Sequence, residues 1–474
     1  MSGMDTGSDD LVVIGGGLAG LVAGARAAEL GLKVCLLERG VGEHYPCNAR
    51  WSGGVLHIGY HDITQSPEAL RGVIDRATGG GADGPQAETF ARNGGRLIDW
   101  LAGHGATYVG TKVAWQQFIL EPMRAMRAGL DWENRGPDVM MGRLAALIRG
   151  SGGRIMLGAR ARSLMMDNGS CVGVEAEVDG KRQRFAARAV IIADGGFQTN
   201  LERLGRHIAP HPERIKQRGA ANGTGDGLAM AEAVGAAVTG LDRFYGHILS
   251  RDAFTNDAVW PYPELDALAI SGIVVDRTGR RFADEGVGGV ALTNIIARSA
   301  DPLGATIIID SAIWEGPGRS ARIPANPTLE AADGTVLRAD SLVQLADMAG
   351  LPPSALAGSI AAHNGAFAEG TFAQLDPPRS TNRHAPMPIL APPFHAIPIC
   401  AGITYTMGGI SVDGGCRVLG DNGKVIVGLY AAGSTTGGLE GAGNVAYLGG
   451  LAKAGVQGLV AAESIAANQN TSKS

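Results

Sequence analysis

The stretch DLVVIGGGLAG, residues 10–20, decides the fold of this chain. It begins with Leu11–Ile14, a short apolar run typical of a buried parallel strand. Gly15, Gly17 and Gly20 follow at the spacing of a dinucleotide-binding turn. In such a turn the first glycine permits the tight bend, the second lets the backbone approach a pyrophosphate, and the third lets the next helix pack on the strand. We therefore predict a strand, a phosphate-binding turn and a helix.

The residues after this turn complete the same unit. A helix is predicted over Leu21–Leu30, ending at Gly31, and a second apolar strand over Val34–Leu37 leads into Glu38. An acid at the end of that strand is placed to bind a ribose hydroxyl. An ordinary β–turn–helix corner is the alternative. Because strand, turn, helix, second strand and acid agree, the sequence predicts an adenine-dinucleotide site.

Composition limits the remaining possibilities. A chain of 474 residues is long enough for two domains. Its 41 basic and 46 acidic residues form no basic stripe, so no nucleic-acid partner is expected. The five cysteines contain no CxxC pair, which predicts neither a bound metal nor a haem, and their odd number predicts a reduced, cytoplasmic protein. No stretch has the length and hydropathy of an integral membrane segment.

The rest of the chain is predicted to alternate strands and helices. A second glycine pattern, Gly79–Gly84, follows no apolar strand and is interpreted as a surface loop. Composition changes near Leu241, where aromatic residues and prolines replace the glycine-rich pattern. We predict division into residues 1–242, an inserted domain over 243–398, and a return over 399–474. The predicted elements are helices over 86–105, 138–150, Leu228–Val234 and Gly449–Ala467, and strands over Arg154–Leu157, Cys171–Glu177, Val190–Ala193 and Ile426–Ala432.

Several separated motifs occur in an order that resembles one known family. They are DLVVIGGGLAGLVAG, LLERG, SGG, VIIADGGF, NGTGDGLAMA, GIVVDRTGRRFADE, TMGGISVD, GLYAAGS and YLGG. The chain resembles the flavin subunit family of fumarate reductase and succinate dehydrogenase, which also includes tricarballylate dehydrogenase and 3-ketosteroid Δ1-dehydrogenase. This resemblance implies an α/β fold, with a Rossmann-like FAD-binding domain and an inserted α+β capping domain.

The resemblance also implies which residues hold FAD. Gly15, Gly17 and Glu38 would meet the pyrophosphate and ribose, and Ala161 would meet adenine. Ser434 stands where many relatives have a glutamate that binds the ribityl chain. We expect FAD to be noncovalent, since neither Cys47 nor His44 reproduces the flavin-linking motif of succinate dehydrogenases. The full cofactor-binding set is Gly15, Gly17, Leu18, Ala19, Gly20, Glu38, Arg39, Ser52, Gly53, Gly54, Ala161, Ala193, Asp194, Gly195, Asp226, Gly433, Ser434, Gly449, Gly450 and Leu451.

The positions that correspond to the reductase catalytic site differ in this chain. Gly289 stands where fumarate reductases carry a proton-donating arginine, and Tyr405 replaces their histidine. No arginine corresponding to theirs is evident beside Tyr447. These differences, with the RFADEG and YLGG segments, resemble tricarballylate and ketosteroid dehydrogenases more closely. The resemblance therefore favours oxidation of the substrate over fumarate reduction.

Flavin-dependent desaturation requires a proton acceptor and donors for a developing enolate. Tyr447, Tyr405, His247 and Arg251 are the candidate catalytic residues. Tyrosines often only pack, histidines are often structural, and arginines often lie on the surface, so each has a structural alternative. The hypothesis is a dehydrogenase forming a C=C bond beside a carbonyl or carboxylate of a small molecule, with an external electron acceptor. The alternatives are an enoate reductase and an electron-transfer subunit of a larger complex.

Overall fold

The computed structural model describes residues 9–124, 131–320, 323–440 and 445–471. The predicted strand–turn–helix–strand unit is present, with the helix beginning at Leu18 rather than Leu21 because Gly17 is its N-cap. The strands are β1 (Asp9–Ile14), β2 (Val34–Glu38), β3 (Tyr108–Val109), β4 (Ile119–Leu120), β5 (Arg154–Leu157), β6 (Arg160–Asp167), β7 (Ser170–Val178), β8 (Lys181–Ile192), β9 (Lys216–Gln217), β10 (Val238–Thr239), β11 (Phe244–Ser250), β12 (Ile273–Val275), β13 (Thr306–Ile309), β14 (Leu337–Ala339), β15 (Phe394–Thr406), β16 (Gly409–Ile410), β17 (Arg417–Leu419) and β18 (Val425–Ala431).

Helices connect these strands and cover the sheets. They are α1 (Leu18–Glu29), α2 (Asn48–Trp51), α3 (Pro67–Thr78), α4 (Gly84–Gly103), α5 (Gly136–Gly150), α6 (Leu201–His207), α7 (Asp226–Ala233), α8 (Asp266–Ser271), α9 (Gly289–Arg298), α10 (Ser311–Glu315), α11 (Ala325–Ala331), α12 (Leu342–Ala349), α13 (Pro353–Glu369) and α14 (Gly450–Thr471). Within the described residues no helix is long and apolar enough to cross a membrane.

The main sheet has the strand order β17-β18-β8-β1-β2-β5. β1 pairs in parallel with β2 and β8, and β18 and β5 extend the parallel part on either side. Residues of β1 alternate between two hydrophobic clusters, with Val12 and Ile14 in one and Leu11 and Val13 in the other. A parallel strand covered on both faces reads as a continuous apolar run. This explains why the sequence signal for β1 is strong.

β8 belongs to two layers at once. Its first half pairs with β7 in an antiparallel meander that includes β6, and its second half pairs with β1. The sequence did not predict β6, because this strand begins with Arg160, Arg162 and Ser163 and its apolar run, Leu164–Met166, is only three residues long. Gly79 ends α3 in a left-handed conformation and Gly84 begins α4, which confirms the loop between them.

A second sheet has the order β11-β15-β13-β12, with β9 and β14 also paired to β15. β15 is nearly fully buried and runs across the predicted domain boundary at 398/399. This sheet is built from residues 216–406. The predicted domain boundaries at 242/243 and 398/399 therefore remain a prediction. Because β15 ends at Thr406, it carries Tyr405 to the edge of the main sheet.

α14 packs against α1, where Gly458 lies so close to the Ala19 carbonyl that a Cβ would come within 2.6 Å of it. The helix continues past the predicted end at Ala467, and Asn468 donates a hydrogen bond to the Tyr430 hydroxyl. This contact extends the helix by about one turn beyond the apolar pattern. The packing directs the N-terminus of α14 toward the ends of β1, β8 and β18.

Candidate active site

A deep cleft opens at the carboxyl ends of the parallel strands β1, β2, β8 and β18. It encloses about 1290 Å³, part of it open to solvent. This is the position where open α/β sheets bind nucleotides. Its lining extends from the glycine turn after β1 to the start of α14, as an elongated dinucleotide ligand would require.

The glycine turn after β1 forms one wall of this cleft. Gly15 has a positive φ of 100°, and a Cβ there would lie 2.6 Å from the Ala193 carbonyl oxygen. At Gly20 a Cβ would overlap the Gly15 carbonyl, so only glycine lets α1 approach β1. Gly17 differs, since among the described residues a Cβ there would have one neighbour, the Ala193 carbonyl oxygen at 3.9 Å, and would project into open space. The turn thus leaves a backbone-lined space for a ligand phosphate.

Glu38 closes the turn from the end of β2. Its buried carboxylate accepts hydrogen bonds from the backbone N–H groups of Gly16 at 2.7 Å and Gly40 at 2.6 Å. A carboxylate has about four acceptor positions. Glu38 therefore keeps lone pairs for a ribose hydroxyl while it holds the turn in shape.

Charged side chains surround the cleft near β6. Arg160 forms two hydrogen bonds to the Asp226 carboxylate, the shorter at 2.7 Å. Arg39 donates to the Thr224 hydroxyl at 2.9 Å and to the Asn222 carbonyl. Asp226 is the first residue of α7, directly after its N-cap residue Gly225. These contacts connect the loop 222–225 to the end of β2.

Asp194, directly after β8, has one carboxylate oxygen without a protein partner in the described chain. Its Oδ2 accepts from the Gly227 N–H at 2.7 Å, whereas no donor among the described residues reaches the buried Oδ1. Burial is the main cause that raises the pKa of Asp194 to about 7. Oε1 of Gln198, also on the cleft wall, is likewise without a described partner. Buried polar atoms of this kind fit a ligand that supplies the missing hydrogen bonds.

The structure distributes the predicted cofactor residues between the wall of the cleft and the layer behind it. Gly20, Gly53, Gly54 and Gly449 lie behind the lining. Gly449 has a φ of 114° and abuts the His57 carbonyl, and a Cβ on Gly54 would meet Pro137, so both are sites of close packing. The cleft lining includes Gly15, Gly17, Leu18, Ala19, Glu38, Arg39, Ser52, Ala161, Ala193, Asp194, Gly195, Asp226, Gly433, Ser434, Gly450 and Leu451.

Three tyrosines from distant segments meet at the α14 end of the cleft: Tyr245 on β11, Tyr405 on β15 and Tyr447 before α14. The Tyr245 and Tyr447 rings stack with centroids 4.0 Å apart. Tyr405 and Tyr447 are both among the predicted catalytic residues. The chain therefore brings both predicted phenols to one wall, together with the phenol of Tyr245.

The Tyr447 hydroxyl accepts a hydrogen bond from the Gly450 N–H, at 3.2 Å, at the start of α14. It is also hydrogen-bonded to the Tyr245 hydroxyl. Burial is the main cause that raises the pKa of Tyr447 to about 12, so the phenol is protonated at neutral pH. Tyr447 can thus act as a hydrogen-bond donor to a ligand oxygen.

The Tyr405 hydroxyl has a different partner. It donates to the buried carboxylate of Glu440, with distances of 2.9 Å to Oε1 and 3.2 Å to Oε2. Glu440 also accepts from the Leu448 N–H at 3.1 Å and lies 3.4 Å from Lys453 Nζ. Burial, followed by the Glu440 charge, raises the pKa of Tyr405 well above its ordinary value. Tyr405 therefore keeps its proton directed away from the cleft.

His247 does not line the cleft, although it touches a residue that does. Its Nε2 lies 2.8 Å from the Tyr245 hydroxyl and its Nδ1 3.2 Å from Asp266. His247, Glu264 and Asp266 offer ligand atoms within 4.8 Å of one another. Arg218 is ion-paired with Glu264, so a cation is already present in this group. The geometry therefore supports a hydrogen-bonded network acting through Tyr245 rather than direct contact of His247 with a substrate.

Arg251 lies outside the cleft lining, in a short 3₁₀ helix, Arg251–Phe254. Its guanidinium donates to the Leu303 carbonyl at 2.9 Å. At Gly289, a Cβ would overlap the Asp266 carboxylate, so this position has no room for the arginine of fumarate reductases. Among the described residues the basic side chains on the cleft wall are Arg39, Arg160 and Lys453.

Sequence reasoning missed Tyr245, Glu440 and Lys453. Tyr245 lies two residues before His247 on one strand, so the period of two would have placed both on one face. Glu440 is an isolated acid in the segment TTGGLEGAG, and Lys453 is an isolated charge in the apolar first turns of α14. An unexplained charge in an otherwise small or apolar segment is the signal that could have found them.

The two possible covalent anchors differ in position. Cys47 lines the cleft, but burial raises the pKa of its thiol to about 11. A thiol that stays protonated is a poor nucleophile. His44 is mostly exposed, lies outside the cleft lining and pairs with Asp138 at 3.2 Å. These features favour noncovalent binding of a cofactor.

Comparison with known proteins identifies the class. A family model described as FAD binding domain matches residues 10–446. The chain is 29% identical over 376 residues to NADH:acrylate oxidoreductase of Vibrio harveyi, covering 75% of this chain but only 34% of that protein. It is 25% identical to 3-oxosteroid 1-dehydrogenase of Mycolicibacterium smegmatis, covering 90% and 92% of the two chains.

The fold is also similar to a solved structure of 3-ketosteroid Δ1-dehydrogenase from Sterolibacterium denitrificans. The TM-score is 0.75 at 19% identity, and the match covers 98% of this chain and 100% of the other. The protein is an FAD-dependent oxidoreductase. It belongs to the FAD binding domain family, which confirms the Rossmann-like fold with a capping domain and FAD as its cofactor.

Proposed function

We propose that this protein is an FAD-dependent dehydrogenase that forms a C=C bond beside the carbonyl of a small molecule. The observation that carries the proposal is the position of the Tyr447 hydroxyl on the cleft wall, where it accepts a hydrogen bond from the Gly450 N–H and would donate its own proton to a ligand oxygen. Bound FAD supplies an acceptor for the hydride. The relatives named as 3-oxosteroid dehydrogenases support the same class of reaction.

The chain's own residues would stabilise the enolate, accept the α-proton and hold FAD. Tyr447 would donate a hydrogen bond to the carbonyl oxygen and stabilise enolate character as the neighbouring C–H bond breaks. Tyr405 would accept the α-proton. Tyr245 would hold the Tyr447 ring by stacking, and His247 would orient Tyr245 through its hydroxyl. FAD would be held noncovalently by the glycine turn, Glu38 and Asp194.

The charges favour a ketone over a dicarboxylate. Of the basic side chains that line the cleft in the described chain, Arg160 pairs with Asp226, Arg39 binds Asn222 and Thr224, and Lys453 pairs with Glu440. A dicarboxylate would need a free guanidinium fork near the tyrosines. We also propose an external electron acceptor. We propose a cytoplasmic location because the five cysteines are free and buried.

The test is anaerobic mixing of the yellow protein with cyclohexanone, 4-androstene-3,17-dione, succinate and propionate. Bleaching of the flavin by a ketone supports the proposal.

A second candidate function, enoate reduction, is favoured by the similarity to NADH:acrylate oxidoreductase. Rapid reoxidation of dye-reduced protein by acrylate or fumarate, without bleaching by any ketone or carboxylate, would establish this second function and contradict the first.

A further inference from the structure

We propose that Glu440 is the final proton acceptor of the reaction, receiving the Tyr405 proton as the Tyr405 oxygen takes the α-proton of the substrate. This inference rests on the proposed function. It concerns a residue that lies behind the cleft wall. The geometry that carries it is a chain of three groups: the cleft, the Tyr405 hydroxyl and the Glu440 carboxylate.

Tyr405 separates the carboxylate from the cleft. Its side chain lines the cleft, whereas Glu440 is only 3% exposed and does not. Both carboxylate oxygens lie within 3.2 Å of the phenolic oxygen. Because an ionised carboxylate can only accept, the hydroxyl hydrogen must point toward Glu440. The phenolic lone pairs are then available on the cleft side.

The Glu440 carboxylate is held in place by a neighbouring cation and a backbone N–H group. Lys453 Nζ lies 3.4 Å from Oε2 and also donates to the Thr436 carbonyl at 3.0 Å, which fixes the ammonium. The Leu448 N–H donates to Oε1. An isolated buried carboxylate would be strongly disfavoured, so the neighbouring cation is needed. When Glu440 takes a proton, Lys453 remains held by the Thr436 carbonyl.

The raised pKa of Tyr405 supports a coupled transfer. A phenol with such a pKa has almost no phenolate at neutral pH, so it cannot act alone as a base. If its proton moves to Glu440 as the substrate proton arrives, the phenolate never accumulates. Tyr447 has no carboxylate behind it among its described contacts and instead accepts a backbone N–H. The two tyrosines therefore have opposite roles.

The step balances without a further reagent. The α C–H bond breaks, its proton bonds to the Tyr405 oxygen, and the Tyr405 O–H proton bonds to a Glu440 oxygen. The electron pair of the C–H bond becomes the new π bond. Bound FAD would supply the oxidant, as the acceptor of the hydride of the adjacent carbon with its electron pair. Loss of the Glu440 proton to solvent restores the starting state.

The experiment measures proton abstraction separately from oxidation. FAD-loaded protein is incubated in D₂O with cyclohexanone or 4-androstene-3,17-dione, and deuterium entering the α-carbon is followed by mass spectrometry. Glu440→Gln should slow this exchange by about 100-fold, as should Tyr405→Phe. The double variant should be no slower than either single variant, since both remove the same transfer. Tyr430→Phe, a buried tyrosine that contacts Asn468 outside the cleft, is the matched control.

The outcomes separate this inference from the proposed function. If wild-type protein neither exchanges nor oxidises any probe, the proposed function fails and the inference with it. If Glu440→Gln retains FAD and exchanges like wild type while Tyr405→Phe does not, only the role of Glu440 is overturned. If Glu440→Gln loses FAD or unfolds, a second measurement tests the inference. This is the solvent isotope effect on the rate of flavin reduction in the Tyr447→Phe variant. A normal effect supports proton transfer from Tyr405 in the rate-limiting step, and its absence overturns the inference.

Discussion

The two ends of the cleft are built in different ways. At the end formed by β1 and β2, one continuous segment from Gly15 to Gly40 presents the backbone of the glycine turn to the ligand. At the α14 end it consists of side chains from three separated segments, with Tyr245, Tyr405 and Tyr447 meeting only in the folded protein. The first end follows from local chain geometry. The second depends on how β11, β15 and α14 are placed.

The largest expected effect tests the backbone end. Gly17→Val should abolish FAD binding, because its side chain would project into the space that the turn leaves for a phosphate. The measurement is the flavin content of the purified protein, together with its circular dichroism spectrum. Gly365→Val is the control, since this position on α13 is exposed and no described atom lies within 4 Å of the added Cβ. A normal flavin content in Gly17→Val would contradict the assignment of this turn.

The second prediction concerns how FAD is attached to the protein, and its expected result is complete release. Acid precipitation should release all the flavin as free FAD, because the Cys47 thiol is protonated and His44 lies outside the cleft lining. Absorbance and chromatography of the supernatant measure this release. Flavin that stays with the denatured pellet would mean a covalent link, and Cys47→Ser would then identify the anchor.

The tyrosine end is tested by Tyr447→Phe. Loss of one donor to a developing oxyanion costs about 100-fold or more in turnover, roughly 3 kcal/mol. We expect slower flavin reduction in stopped-flow measurements, with FAD content and thermal stability retained. Tyr430→Phe removes a hydroxyl of the same kind from β18, away from the cleft, and should leave the rate unchanged. An unaltered rate in Tyr447→Phe would reduce that residue to a packing role.

The same contrast explains what could be predicted from sequence. The strand–turn–helix unit, the β2 acid and several single strands of the main sheet follow from local patterns, since apolar runs and glycine spacing act over short stretches, whereas the α/β fold was predicted from the resemblance to a family. Tyr405 and Tyr447 were predicted only through the resemblance to a family. Their partner Glu440 was missed because no local rule pairs residue 405 with residue 440. Arg251 was predicted as a candidate catalytic residue, but its side chain is hydrogen-bonded to the Leu303 carbonyl.

A smaller effect is expected from Asp194, which lies beside Gly15 of the glycine turn. Burial raises the pKa of Asp194 to about 7 in the folded protein, above its value in the unfolded chain. The folded state therefore binds this proton more tightly, and the resulting stability is full below about pH 4 and lost as pH rises through about 7. Flavin-free protein should melt at a higher temperature on the acidic side of this window. Asp194→Asn should flatten that part of the pH dependence, and an unchanged slope would assign it to other groups.

The smallest effect is expected from Arg251→Ala. This variant tests whether a segment other than those of Tyr245, Tyr405 and Tyr447 contributes to the tyrosine end of the cleft. The guanidinium binds the Leu303 carbonyl and lies outside the lining, so its removal should leave the rate of flavin reduction within a few-fold of wild type. Some stability should be lost with this contact, of order 1 kcal/mol for one hydrogen bond. Steady-state kinetics with the best ketone and the best carboxylate measure the effect separately for each substrate. A large rise in KM for the carboxylate alone would mean that Arg251 turns toward bound substrate, and that a third segment contributes to the tyrosine end.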